Sequence, residues 1–250
     1  MAGSGNKSEL TFSVRDWFAW TPGRETRRAW REWASAPATP VEGSAEEPEM
    51  PTLPMMLRRR ATAVGQKAVG AALACQDVGA ARYVIASRHG EYARTTSIFT
   101  SLAERTPLSP ADFSMSVHHG LAGLLSIHTG NRLGHVAVAA AEDSFANGFV
   151  EAALCVAEEP ETPVLLIYYD APLPDGYEEF RSEAESELPM VLAVLLGPGG
   201  AERIAYRWQA AQASAVVQHQ PLIFLRWLLS GTPDAECQGE RMVWRWSRVH

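Results

Sequence analysis

Residues 135 to 170 read HVAVAAAEDSFANGFVEAALCVAEEPETPVLLIYYD, and this stretch decides the fold. Val136 to Ala140 is a run of small and β-branched residues, the composition of a buried strand. It halts at Glu142-Asp143-Ser144, residue types that start helices. Phe145, Phe149, Ala153 and Val156 then recur at helical spacing. After a polar turn from Glu158 to Glu161, Val164-Leu165-Leu166-Ile167-Tyr168 reads as a second buried strand. Strand, tight turn, helix and strand form a βαβ unit, because parallel strands need such a crossover. Sheets of this kind gather their chemistry at the carboxyl ends of the strands, so the turn at 141–144 is the first place to look.

A helix start offers free amide donors and partial positive charge. A cysteine there would be activated as the thiolate, but residues 139 to 144 are Ala-Ala-Ala-Glu-Asp-Ser. The local expectation is that Asp143 or Ser144 caps the helix while Glu142 answers its dipole, an effect of about 1 kcal/mol. Ser144 as a nucleophile lacks the surrounding G-x-S-x-G pattern of a serine elbow.

The bulk properties narrow the classes. A chain of 250 residues can bury a good core in one domain, or at most two tightly joined ones. Its net charge of −7 opposes a nucleic-acid partner, which needs a basic surface. No apolar run approaches the ~20 residues of a membrane span, and Met1 to Leu10 holds no signal-peptide core. Cys75, Cys155 and Cys237 are widely spaced and form no C-x-x-C pair, which suits a reducing cytoplasm and offers no zinc site. Neither a metal nor a cofactor is expected.

Elsewhere, residues 1–10 read as a frayed start, 11–200 as one α/β domain, and 201–250 as its short helix-and-strand extension. Thr11 to Trp20 is a first strand and Arg24 to Ala34 a helix with Trp30 and Trp33 on one face. Residues 35–54 are a Pro-, Ala- and Glu-rich loop. Leu57 to Ala74 reads as a single helix opened by Arg58, Arg59 and Arg60, which would suit an acidic partner or a solvated face. Arg82 to Ser87 is a strand with Arg88-His89-Gly90-Glu91 just past its end, where a site would gather. Thr95 to Arg105 is a helix, and Phe113 to His128 mixes a polar loop with a Gly/Ala-rich helix. His118 and His119 are adjacent, so on a helix they diverge and do not chelate one metal. Residues 178–188 are acidic and exposed, Pro189 to Leu196 is a buried strand, and Ala213 to Leu229 is a helix kinked or begun at Pro221. Met242 to Val249 alternates as a half-exposed strand, with its Trp pair in packing.

In this order the segments FSVRDWFAWTPG, PLSPADFSMSVHHGLAGLLSIHTG, AAAEDSFANGFVEAA, PETPVLLIYYDAPLP and PMVLAVLL resemble the N-terminal half of β-ketoacyl synthases. SRHGEYART, LSPADFSMSVHHGLAG and FLRWLLSG are similar to the short ketosynthase-like chain length factors of aryl polyene pigment clusters. The resemblance implies a thiolase-like α/β fold with helices on both faces of a mixed five-stranded sheet of order 3-2-1-4-5. The strand at 189–196 would be antiparallel to the other four. It also implies that the family's elbow cysteine falls on Ala141, Glu142 or Asp143, and that Ser144 completes a degenerate elbow. About 50 residues follow Leu196, against a whole second α/β half in the family. The roles of the family's catalytic histidines are not carried to His219 or His250.

Two functions of different class follow from the resemblance. One is a non-catalytic chain length factor that pairs with a complete β-ketoacyl synthase and shapes its acyl tunnel in polyene or fatty-acid-type pigment biosynthesis. Val136, Val138, Phe145, Phe149, His118 and His119 would then line the tunnel or the shared interface, and Arg58, Arg59 and Arg60 would meet an acyl-carrier protein transiently. The other is a stand-alone enzyme on acyl thioesters, a malonyl decarboxylase or a Ser144-dependent hydrolase. An ionised Glu142 or Asp143 at the elbow would repel a malonyl carboxylate, which weighs against decarboxylation. A scaffold without tunnel contact is the plainest reading of all.

Overall fold

The computed structural model describes residues 9–36, 50–181, 188–200, 202–212 and 216–249. Most of the expected frayed start, the interior of the 35–54 loop, most of the acidic 178–188 stretch and His250 lie outside the described residues. Glu9 and Leu10, counted with the frayed start, already belong to the first strand.

Among the described residues one sheet of eight strands carries the fold, in the order β3-β2-β4-β5-β1-β6-β8-β7. The strands are β1 (Glu9–Trp20), β2 (Arg82–Ala86), β3 (His135–Val138), β4 (Val164–Asp170), β5 (Met190–Leu196), β6 (Glu202–Ala210), β7 (Asp234–Gln238) and β8 (Met242–Val249). β2 pairs in parallel with β3 and β4, and every other pairing is antiparallel. β1 to β4 therefore point one way and β5 the other, as the resemblance implied.

The expected five strands and their order 3-2-1-4-5 need correction. β1 lies beyond β5 and not between β2 and β4, and three further strands extend the sheet. Sequence neighbours are sheet neighbours only in part of cases. Here the link from β1 to β2 holds three helices, enough to carry the chain past two strands. β5 and β6 together form one long antiparallel neighbour that changes sides of β1: Val14 pairs with Leu196 of β5 and with Glu202 of β6. The Gly197-Pro198-Gly199-Gly200 link crosses β1 there. A Cβ on Gly200 would lie 2.5 Å from the Val14 carbonyl oxygen, so the crossing needs glycine.

Strands at the centre are buried on both faces, which explains their unbroken apolar runs. In β4, Val164, Leu166 and Tyr168 join one core, while Leu165, Ile167 and Tyr169 join the other. The first core takes helices α1 (Arg27–Ser35), α7 (Ser144–Glu158) and α8 (Gln220–Ser230); the second takes α3 (Ala63–Leu73) and α6 (Gly120–Thr129). The single helix expected from Leu57 to Ala74 is two: α2 (Met55–Arg58) and α3, separated because the Thr62 hydroxyl caps α3 through the Gly65 amide at 3.2 Å. Helices α4 (Tyr92–Ala103) and α5 (Pro110–Met115) complete the set, and α5 starts at Pro110. Proline suits the first turn, where no amide donor is needed. The helix expected from Ala213 starts at Gln220 for the same reason, with Pro221 in its first turn.

Candidate functional site at the strand ends

β3 stops at Val138, and α7 begins at Ser144. Between them Ala141 holds φ +48°, a left-handed conformation that costs an L-residue about 1–2 kcal/mol. Local bonds hold it there. The Ser144 hydroxyl accepts the Ala140 amide at 2.9 Å and donates to the Ala141 carbonyl at 2.7 Å, and the Asp143 amide donates to the Ala140 carbonyl at 3.0 Å. A strand, one strained residue and a helix start have the shape that presents a nucleophile at the top of an α/β sheet. Of the three expected positions for the lost cysteine, Ala141 is the strained one.

The expected helix cap needs correction. Neither Asp143 nor Ser144 caps α7 with its side chain; Ser144 closes the elbow instead. The capping acceptor comes from α8, where the Gln220 Oε1 takes the Ala146 amide at 3.1 Å. Asp143 turns the other way and is buried. Its carboxylate accepts the Gln220 side-chain amide at 2.5 Å, the Glu240 and Arg241 amides at 3.1 and 3.2 Å, and the Trp244 indole at 3.2 Å. Gly239 has to be glycine here, because a Cβ would collide with Asp143 Oδ1. These bonds seat the start of α8 and the β7–β8 turn beside the elbow.

The ends of β2 and β4 meet the elbow on its other side. Arg88 pairs with Glu142 at 2.7 Å, and both side chains are largely buried. Asp170 accepts the Arg88 and His89 amides at 2.9 and 3.0 Å, and the Ser87 and Tyr168 hydroxyls at 3.3 Å each. Burial pushes the Asp170 carboxyl above the usual carboxylate range, against the opposing pull of the His89 amide and charge and the Arg88 amide. The sequence had marked Arg88-His89-Gly90-Glu91 as a gathering point, and Arg88 and His89 reach the elbow. Asp170, Gln220 and the Gly239 turn carried no signal beyond their positions at strand and helix ends.

A cleft of about 40 Å³ lies over Ala141 and Glu142, walled by Arg88, Tyr168, Asp170 and His219. That is room for a water or two and not for an acyl chain. Burial pushes the His219 imidazole down to about 4, and its Nδ1 is sealed from solvent without a hydrogen-bond partner. A second groove, of about 470 Å³, also borders the exposed Ala141 and runs from it past Asp143 and Asn147 to Trp208 and Trp244.

Nucleophiles are scarce. Cys75, Cys155 and Cys237 are buried, and burial raises all three thiols, Cys237 to about 12. Ser144 is buried with its hydroxyl engaged on both sides. Among the described residues no group of three or more metal-ligating side chains converges. No helix among them is long and apolar enough to cross a membrane.

The other expected site residues scatter. Val136 and Val138 are half-buried on β3, the terminal strand of the sheet. Phe145 and Phe149, expected in a tunnel or shared interface, belong instead to this chain's own core. Phe145 packs on Tyr168 and Phe224, and Phe149 on Phe12, Tyr206 and Phe224, because the C-terminal strands and α8 roof over α7. His118 packs against Gly90, while the exposed His119 ring lies 5.0 Å from that of His135 at the start of β3. Arg58 ends α2, and Arg59 and Arg60 occupy the turn before α3.

A mixed sheet with its parallel strands ending at a strained elbow defines the thiolase-like class. The model of the β-ketoacyl synthase N-terminal domain matches residues 30–247, and the chain belongs to that family. A solved structure of the ketosynthase ApeO in complex with its chain length factor ApeC from Xenorhabdus doucetiae contains a similar chain. It is 29% identical at a TM-score of 0.82, with 96% of this chain and 100% of that one covered. The ishigamide ketosynthase/chain length factor (13% identity, TM-score 0.58, 80% of this chain and 67% of that one) shares the fold. So does a β-ketoacyl synthase from Burkholderia phymatum STM815 (14% identity, TM-score 0.54, 90% and 71% covered). No curated protein sequence matches the chain significantly.

Proposed function

We propose that the chain is a chain length factor: a ketosynthase-like subunit that performs no condensation itself, pairs with a complete β-ketoacyl synthase and shapes its acyl tunnel. The carrying observation is Ala141. It holds the strained elbow position with a methyl side chain that offers no nucleophile, and the charges beside it, Arg88 and Glu142, are paired with each other. Condensation needs a thiolate with acid–base partners in reach. The match along the full length of a chain from a ketosynthase–chain length factor complex supports the same reading.

The partner's place is the open side of the short strand β3, whose half-buried Val136 and Val138 and intervening Ala137 bring no charge and no proline to guard a free edge. Residues 11–200 act as the ketosynthase-like domain, with 201–250 as its extension. Arg58, Arg59 and Arg60 offer an acidic carrier protein a salt-sensitive docking point. The product belongs to polyene or fatty-acid-type pigment chemistry. A stand-alone thioester enzyme has less support, since Ser144 is closed in and Glu142 is paired. The test is reconstitution. The chain alone should give no acyl-enzyme by mass spectrometry and no product, and adding its cognate ketosynthase should yield product of defined chain length. Product from the chain alone would overturn the reading.

A further inference from the structure

Helices α1 and α8 pack together, and a groove of about 530 Å³ opens beside them, within the size range of small-molecule sites. Its walls are mainly apolar, with Trp33, Leu222, Ile223, Trp227 and Ala235, and Arg226 also lines it. The Arg226 guanidinium lies 4.5 Å from the centre of the Trp33 ring. The Arg24 guanidinium lies 5.3 Å from that same ring and 5.4 Å from Trp30.

Two like charges thus converge on one indole. The acids nearest in sequence are committed elsewhere: Glu25 to Lys67 at 3.5 Å and Glu32 to Arg28 at 3.8 Å. Among the described residues neither Arg24 nor Arg226 has an ion-pair partner. Burial, and after it the charge of Arg226, lowers the Arg24 pKa, so the second cation is felt by the first. A guanidinium stacked on an indole uses its face and keeps its N–H edge free for a planar or tetrahedral oxyanion. An anion placed there turns mutual repulsion into attraction.

We propose that this groove binds an amphipathic anion, with its carboxylate or phosphate held by Arg226, its charge reinforced by Arg24 on the same indole, and its apolar chain laid along Trp33, Leu222, Ile223 and Trp227. His219 walls both this groove and the elbow cleft, and its imidazole, neutral near pH 7, leaves the two arginines as the source of charge recognition. The site lies within one chain and stands whether or not the partner reading holds.

Titration calorimetry of the full chain with decanoate, decyl phosphate and decanol tests it. Either anion should bind saturably and at least tenfold more tightly than decanol; which binds better identifies the headgroup source, and both results support the site. Arg226 is exposed, so Arg226→Gln should fold normally and weaken anion binding about tenfold, while Arg226→Glu should abolish it. Arg132→Gln, an equal charge change in the exposed loop before β3, should leave binding unchanged. Decanol binding as tightly as the anions, Arg226→Gln binding unchanged, or no saturable binding of either anion would each overturn the proposal.

Discussion

The Gln220 side-chain amide donates to the Asp143 carboxylate at 2.5 Å, while its own carbonyl oxygen accepts the Ala146 amide at 3.1 Å. One glutamine at the start of α8 therefore both caps α7 and holds the buried acid beside the elbow. The consequence is a crowded strand end. α8 and the β7–β8 turn are drawn against the elbow, and the exposed Ala141 stands between the small cleft and the larger groove.

Asp143→Ala leaves the Gln220 amide, two backbone amides and the Trp244 indole without their acceptor. Buried donors without a partner cost about 1–3 kcal/mol each, with part recovered by relaxation. The expected loss is about 3–5 kcal/mol, a fall in melting temperature on the order of 10 °C. A change of under 2 °C would mean that Asp143 does not tie the C-terminal strands to the elbow.

Ala141→Gly should stabilise the chain by up to about 1 kcal/mol, because glycine adopts positive φ without the steric cost. A raised urea midpoint with an unchanged slope is the expected reading. Ala141→Cys should remain free of acyl groups after incubation with carrier-bound thioesters, since the adjoining Glu142 carboxylate opposes a thiolate there. Efficient acylation of that variant would show that the elbow still activates a nucleophile.

His219 gives a pH dependence of stated sign. Burial places its folded pKa at about 4, below the ~6.5 of an unfolded histidine. Between those values the unfolded chain binds the proton and the folded chain resists it, so its contribution to stability falls as pH drops from about 6.5 towards 4 and is level above. Asp170 and Glu91, whose carboxyls burial raises, act in the opposite sense, so the comparison is between His219→Asn and the parent chain. The difference in melting temperature should move in the variant's favour as pH falls through that window. A difference that stays constant would place the unfolded and folded pKa values together.

The sequence announced the parts of the fold that are buried on two faces. β4 and β5 are unbroken aliphatic runs because both sides of each strand meet a core. β6 and β7 were missed: with Glu202, Arg203 and Arg207 in one and Asp234 and Glu236 in the other, they read as solvated chain. Their pairing is decided by β8 across the sheet. The elbow was legible from its strand-turn-helix grammar, and Arg88-His89 from the end of β2. The Asp143–Gln220 bond was not, because it joins residues 77 apart and its donor lies in a helix first turn of no distinctive composition.

Partnership through β3 is the central claim, and its hydrogen-bonding pattern supplies a clean probe. The Gly134 and Val138 carbonyls accept amides from β2, so the backbone groups of His135 and Ala137, which alternate with them, face the open edge. Ala137→Pro removes an outward amide and leaves the β2 ladder intact, a position where proline is tolerated in an edge strand. Size-exclusion chromatography with light scattering on the chain mixed with its cognate ketosynthase is the decisive measurement. A heterodimer is predicted for the parent chain, and its loss for Ala137→Pro, which should still melt cooperatively on its own. A parent chain that stays a folded monomer beside the ketosynthase, or an Ala137→Pro chain that pairs just as well, would contradict the account.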